Sequence, residues 1–112
     1  MGMSIETRDV ADGLAVSIAG ELDVAVADAV RQTLDAALAR RPEVLRVDLA
    51  KVRLLDSTIM TVLWRTQKVA SAQNTRLVLR NPNEFVAHVL EVAGLLTVLR
   101  VEREYGGGAV TG

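Results

Sequence analysis

Asp56-Ser57-Thr58 is the place in this 112-residue chain where residue types and spacing most clearly suggest chemistry. The three residues follow an apolar run and precede an amphipathic one, and all three types favour helix starts. A helix N-terminus exposes unpaired N–H groups and carries partial positive charge, so it accommodates anions. A phosphate on Ser57 would add about −2 charge and three acceptor oxygens, and the helix donors would be there to meet it. The same spot suits a free anion. Equally, these residues serve as plain caps that accept backbone N–H bonds.

Other chemistries find less support. The chain has no cysteine, which excludes disulfides and thiolate ligands. Its single histidine, His88, cannot build a histidine metal site or a catalytic relay by itself. Asp23, Asp48 and Asp56 lie apart along the chain with no histidine near them, so acid–base work has no base-and-acid pair. Ser57 has only the distant His88 as a general base. The glycines Gly106-Gly107-Gly108 precede neither lysine nor a helix and form no phosphate loop. A phospho-accepting Asp56 would need a divalent ion held by an acidic pair after an earlier strand, and Ser17-Ile18-Ala19-Gly20 supplies none. The expectation is a protein without catalysis, metal or cofactor.

Composition narrows the class further. Half the residues are hydrophobic and only 3% aromatic, so the core must be aliphatic. The formal net charge is −1 and the cations are scattered, with no cluster to displace phosphate counterions, so no nucleic acid is expected. No apolar run spans a bilayer, and Met1 to Glu6 lack the basic-then-apolar pattern of a secretion signal. Direct membrane insertion is not expected, and the cytoplasm is the expected location.

The elements that must position Ser57 can be read from periodicity. Ser4–Val10 and Leu14–Ile18 read as strands joined at the turn signal Asp12-Gly13, hence an antiparallel hairpin. Val24 to about Arg40 reads as a helix, with Val26, Ala29, Val30, Thr33, Leu34, Ala37 and Leu38 inward and Asp23 as its cap. Pro42 ends it. Val44–Leu49 is a strand and Ala50–Leu55 a loop. Ile59 to Ala72 is a second helix, with Ile59, Val62, Leu63, Thr66 and Ala70 inward. Leu77-Val78-Leu79 is a buried strand.

Asn81-Pro82-Asn83-Glu84 reads as the start of a third helix capped by Asn81, with Phe85, Val86, Val89, Leu90 and Ala93 inward and Gly94 as its left-handed end. Thr97–Val101 reads as a final strand. The fold class is α/β: a mixed sheet, with an antiparallel hairpin and then parallel right-handed crossovers, packed with three main helices. Residues 1–103 form one domain and 104–112 a flexible Gly-rich tail. Whether the helices cover one sheet face or both is left open by the sequence.

These motifs in their order resemble the STAS domain, and in particular the anti-sigma-factor antagonists. The resemblance rests on Gly20-Glu21-Leu22-Asp23 opening the first helix, Val47-Asp48-Leu49 with Leu55-Asp56-Ser57 before the second, Leu77 to Pro82 before the third, and Leu90-Glu91-Val92-Ala93-Gly94-Leu95 at the close. It covers about Ser4 to Val101. It implies a non-enzymatic, bacterial, cytoplasmic regulator of transcription that switches protein partners. The serine after the aspartate, here Ser57, is then phosphorylated by a partner serine kinase that is also the anti-sigma factor. Asp56 precedes it, Asp23 lies nearby, and Thr58 is a second candidate hydroxyl. Ile59 stands where the family's run carries glycine. It either turns into the core or reshapes the docking surface.

Met60 and Trp64, one turn apart and off the centre of the core stripe, are candidate anchors for the partner, or else core residues. With Asp23, Asp56, Ser57 and Thr58 they make up the expected partner-binding surface. The competing expectation is a phosphorylation-independent STAS subunit of a transporter or signalling scaffold. A small-ligand site in a sheet-edge cleft has only fold analogy behind it.

Overall fold

The computed structural model describes residues 2–103. The expected tail, 104–112, lies outside the described residues. The strands are β1 (Met3–Val10), β2 (Gly13–Leu22), β3 (Val44–Leu55), β4 (Arg76–Arg80) and β5 (Arg100–Glu102), and the helices are α1 (Ala27–Ala39), α2 (Ser57–Ala72) and α3 (Glu84–Val92). Among the described residues they form a five-stranded sheet in chain order, β1-β2-β3-β4-β5. The β1–β2 pair is antiparallel and every later pair parallel. The mixed α/β architecture expected from sequence is the one observed.

Strand alternation decides where the helices go. Leu14, Val16 and Ile18 of β2, Leu45, Val47 and Leu49 of β3, and Leu77 and Leu79 of β4 face one way and are buried. They join a single cluster with Val30, Leu34 and Leu38 of α1, Ile59, Val62 and Leu63 of α2, and Val86 and Leu90 of α3. All three helices therefore lie on one sheet face, the question the sequence left open. Each fully buried leucine or valine there contributes roughly 1.5–3 kcal/mol.

Among the described residues the opposite face carries no helix and is held by charge. Asp12, Arg46, Glu102 and Arg80 form a chain of ion pairs across it. Arg46 holds Asp12 through two contacts of 2.6 and 3.0 Å, while its Nε lies 3.7 Å from Glu102 and Arg80 Nε lies 3.9 Å from the same carboxylate. Val78 is buried beneath this network.

Several boundaries differ from the sequence expectation, each for a physical reason. Ala50–Leu55 continues β3 rather than forming a loop, and Gly20–Leu22 continues β2 rather than opening a helix. Register shifts between Ser17 and Ala19 and between Gly20 and Glu21 break the period-two pattern that would have revealed both extensions. Asp23 caps a short 3₁₀ turn, Val24–Val26, which precedes α1. Val26, in that turn, and Thr33 of α1 are only partly buried, and Ala29 of α1 is exposed.

Helix α3 is capped by Asn83, whose side chain accepts from Val86 N at 2.7 Å and donates to Val52 O at 3.0 Å. Asn81 cannot be the cap, because it sits at φ 57 and its N–H bonds Glu102 O. With the helix starting there, Phe85 and Ala93 point to solvent rather than inward. The final strand is shorter than expected, since Leu95–Thr97 forms a 3₁₀ turn. Gly94 does take the left-handed conformation, at φ 79.

Gly13 opens β2 at φ 153, where a Cβ would collide with the Val44 carbonyl oxygen. Gly13→Ala is expected to lower the unfolding free energy by about 2–4 kcal/mol in urea titrations. An unchanged midpoint would refute that close approach. The Arg46 hydrogen bond holds the Asp12 carboxyl below its ordinary pKa. A carboxyl depressed on folding contributes stability above its unfolded value, and that stability fades as pH falls through the lower folded value. Thermal melts should accordingly lose stability below about pH 4, and Asp12→Asn should flatten this acid slope.

Candidate functional site

Parallel pairing of β2 with β3 builds the site. Leu22 stands opposite Leu55, and Asp56 N donates to Leu22 O at 3.1 Å. This brings Asp23 and Asp56, the residues after each strand, to the same end of the sheet, where each starts a helical segment. Asp23 accepts from Ala25 N at 3.0 Å. Asp56 Oδ1 accepts from Thr58 N at 2.9 Å and Ile59 N at 3.2 Å. The plain capping role weighed for this triplet thus belongs to Asp56.

Ser57 is consequently left over. It is the first residue of α2, it is exposed, and its hydroxyl makes no hydrogen bond among the described residues. Only its carbonyl is engaged, by the Thr61 hydroxyl at 3.1 Å. Thr58 is half-buried. Ile59 is 1% exposed and belongs to the core, so it does not reshape the outer surface.

The expected welcome for a phosphate is narrower than the sequence suggested. Of the N–H groups that open α2, those of Thr58 and Ile59 are already taken by Asp56, and that of Met60 bonds Asp56 O. A phosphate on Ser57 would stand beside the Asp56 carboxylate. Nearby Arg53 is committed to Glu21 at 3.0 Å. The local charge is acidic, so added phosphate would deepen a negative field rather than order the segment.

Trp64 is 43% exposed, while Met60 is partly buried against the core. Ser57, Met60 and Trp64 follow helical spacing along the outward side of α2. Two exposed apolar residues that sequence reasoning missed lie at the same end of the sheet. Val24, 69% exposed, follows Asp23, and exposed Leu54 pairs with Glu21 at the same sheet end. The bulges that hid the strand extensions also hid which face Leu54 would take. Asp48 lies on the helix-free face, where it accepts from Ala50 N, and His88 is exposed on α3. Neither joins the site. Among the described residues no group of three or more histidines, cysteines or carboxylates could hold a metal, and no helix is long and apolar enough to cross a membrane.

The site is thus an exposed serine, two capping aspartates and exposed apolar residues at one end of a one-sided α/β sheet. A family model described as "Mlab, STAS domain" matches residues 5–100, and the chain belongs to the STAS-domain family. It is 30% identical over 108 residues to the anti-sigma-B factor antagonist of Bacillus subtilis (strain 168), covering 96% of this chain and 98% of that one. The fold is shared with an anti-sigma factor antagonist from Mycobacterium paratuberculosis, at TM-score 0.78 and 24% identity over 90% of this chain and 86% of that one. It is shared too with the anti-sigma factor antagonist SpoIIAA in its unphosphorylated form, at TM-score 0.73 and 18% identity over 88% and 87%. SpoIIAA has also been solved in its phosphorylated form, at TM-score 0.69 and 17% identity over 88% and 90%.

Removing the Asp56 cap should expose two N–H groups at once. Asp56→Ala is expected to cost about 1–2 kcal/mol in denaturant unfolding, and Asp56→Asn under about 0.5 kcal/mol. Equal losses in both variants would mean that the carboxylate acts through charge rather than by capping.

Proposed function

We propose that this chain is an anti-sigma-factor antagonist that switches protein partners when Ser57 is phosphorylated, acting in the cytoplasm as a single STAS domain over residues 1–103 and doing no catalysis itself. The observation that carries the reading is the unengaged, exposed Ser57 hydroxyl beside a cap that Asp56 alone supplies. A regulatory hydroxyl must be reachable, and its loss must not unfold the helix. Both conditions are met here.

In the unmodified state, Val24, Leu54, Met60 and Trp64 offer apolar contact to an anti-sigma factor, with Asp23 and Asp56 at the rim. The partner acts as a serine kinase. The Ser57 oxygen attacks the γ-phosphorus of ATP, its proton passes to a base on the kinase, and ADP leaves. The product carries about −2 more charge beside Asp56, which opposes docking by desolvation and by repulsion from acidic partner groups. A weakening of only ~3 kcal/mol reduces affinity more than about a hundredfold. Thr58 is the secondary acceptor, less accessible than Ser57. Ile59, the departure from the family's run, lies in the core and leaves the surface around Ser57 unaltered, which favours the switch over a phosphorylation-independent transporter or scaffold subunit.

Incubation with the cognate anti-sigma kinase and ATP is expected to add one phosphate by intact mass, and Ser57→Ala to abolish it. Labelling that persists in the variant would move the acceptor elsewhere. Trp64→Ala should weaken partner binding about tenfold or more while leaving the unfolding midpoint nearly unchanged. A large stability loss would make Trp64 a packing residue.

A further inference from the structure

The end strands of an open sheet each leave a row of backbone N–H and C=O groups without a strand to bond. At one end β5 is only Arg100–Glu102, too short to offer much to a neighbour, whereas at the other β1 runs from Met3 to Val10. Natural edges are blunted by brevity, proline, bulges, covering elements or charge. β1 contains no proline and pairs with β2 without a register shift, and among the described residues no strand lies beyond it. Charge is the device that remains.

Alternation along β1 decides which groups face outward. The turn Ala11-Asp12 closes the hairpin at the Val10–Gly13 pair, and the pair that closes such a tight turn exchanges backbone hydrogen bonds. Counting back, Arg8, Glu6 and Ser4 also turn their N–H and C=O towards β2, while those of Asp9, Thr7 and Ile5 point away from it. Side chains alternate too. Ile5, Thr7 and Asp9 lie on the helix side: Ile5 packs against the core, Asp9 bonds Arg40 at 2.6 Å, and Thr7 lines a cavity with Gln32, Thr33 and Ala36 of α1. Glu6 and Arg8 lie on the other face and are exposed, and among the described residues neither has an ion-pair partner.

These two charges select the neighbour. A second β1 laid antiparallel on the first must set outward residues opposite outward residues, so the two-fold axis between the copies falls at a residue. With the axis at Glu6, that carboxylate faces its own copy; with the axis at Arg8, the guanidinium does, and like charges directly opposite are unfavourable. With the axis at Thr7, each Glu6 faces the other copy's Arg8. Both ion pairs then fall at positions without backbone bonds, where side chains approach most closely. Axes further along the strand leave little overlap. We infer that β1 binds a second copy of this chain by antiparallel pairing centred on Thr7, which joins the two sheets into one. On the helix side the two α1 helices then face each other across the seam, and the cavity of about 350 Å³ beside Gln32, Thr33 and Ala36 is closed by the other copy. Antiparallel pairing sends the two Ser57 ends in opposite directions, so each copy keeps its own docking end open.

The test is sedimentation equilibrium of the full chain from about 10 µM to about 1 mM, over which the mass should rise from one chain towards two. Glu6→Arg and Arg8→Glu should each weaken self-association about tenfold or more, and the double variant E6R/R8E should restore it to within about threefold. Only the axis at Thr7 predicts that rescue, because an axis at Glu6 or Arg8 opposes like charges in every one of these variants. Thr7→Pro removes an outward N–H and spares the β1–β2 bonds, so it should leave a folded monomer by circular dichroism.

A chain that stays monomeric throughout the range would overturn the inference. So would a dimer that survives both single charge changes, or a double variant as weak as the singles. Slowed amide exchange in β1 seen only with a different protein bound, the free chain being monomeric, would assign the edge to that protein instead. Should Thr7→Pro fail to fold, the charge series decides alone.

Discussion

The hydrogen bond from Asp56 N to Leu22 O fixes the end of β3 against the end of β2. Everything at the proposed switch follows from that parallel registration. Two strands that finish level bring two helical starts side by side, and each start needs a cap. Because Asp56 supplies the cap for α2, the next residue is relieved of structural duty and its hydroxyl faces water. The division of labour between adjacent residues lets one bear stability while its neighbour is free to be modified.

The one-sided packing reinforces this arrangement. The sheet buries aliphatic side chains against all three helices on one face, and a chain of ion pairs spans the other. Helix α2 is seated by Ile59, Val62, Leu63, Thr66 and Ala70, and the Thr66 hydroxyl is satisfied by Val62 O at 2.8 Å. Its opposite side is spared from packing, which is why Trp64 remains exposed in a chain so poor in aromatics.

Much of this was legible from residue pattern. The five inward positions of α2 are the buried ones, and the α/β class and the hairpin follow from periodicity, whereas which of Asp56, Ser57 and Thr58 caps α2 was left open by the sequence. Where the period breaks, the reading fails. Bulges conceal the last residues of β2 and β3, and with them Leu54 and the pairing that brings Asp23 beside Asp56. Asn81 and Asn83 look alike as caps, and only the bond from Asn81 to β5 shows which is free to act. The ion-pair chain joins residues distant in sequence, so it becomes visible only once strand order is known. Ile59 shows the opposite case, since its place in the helical stripe already pointed inward.

The central claim is that a partner docks where α2 begins, over the Ser57 hydroxyl. Hydrogen–deuterium exchange of the chain, alone and in complex with the proposed anti-sigma kinase, addresses it most directly. Slowed exchange centred on residues 22–24 and 54–64 is the predicted footprint. Slowing confined to the strands' helix-free face, with the start of α2 exchanging as in the free chain, would contradict the account.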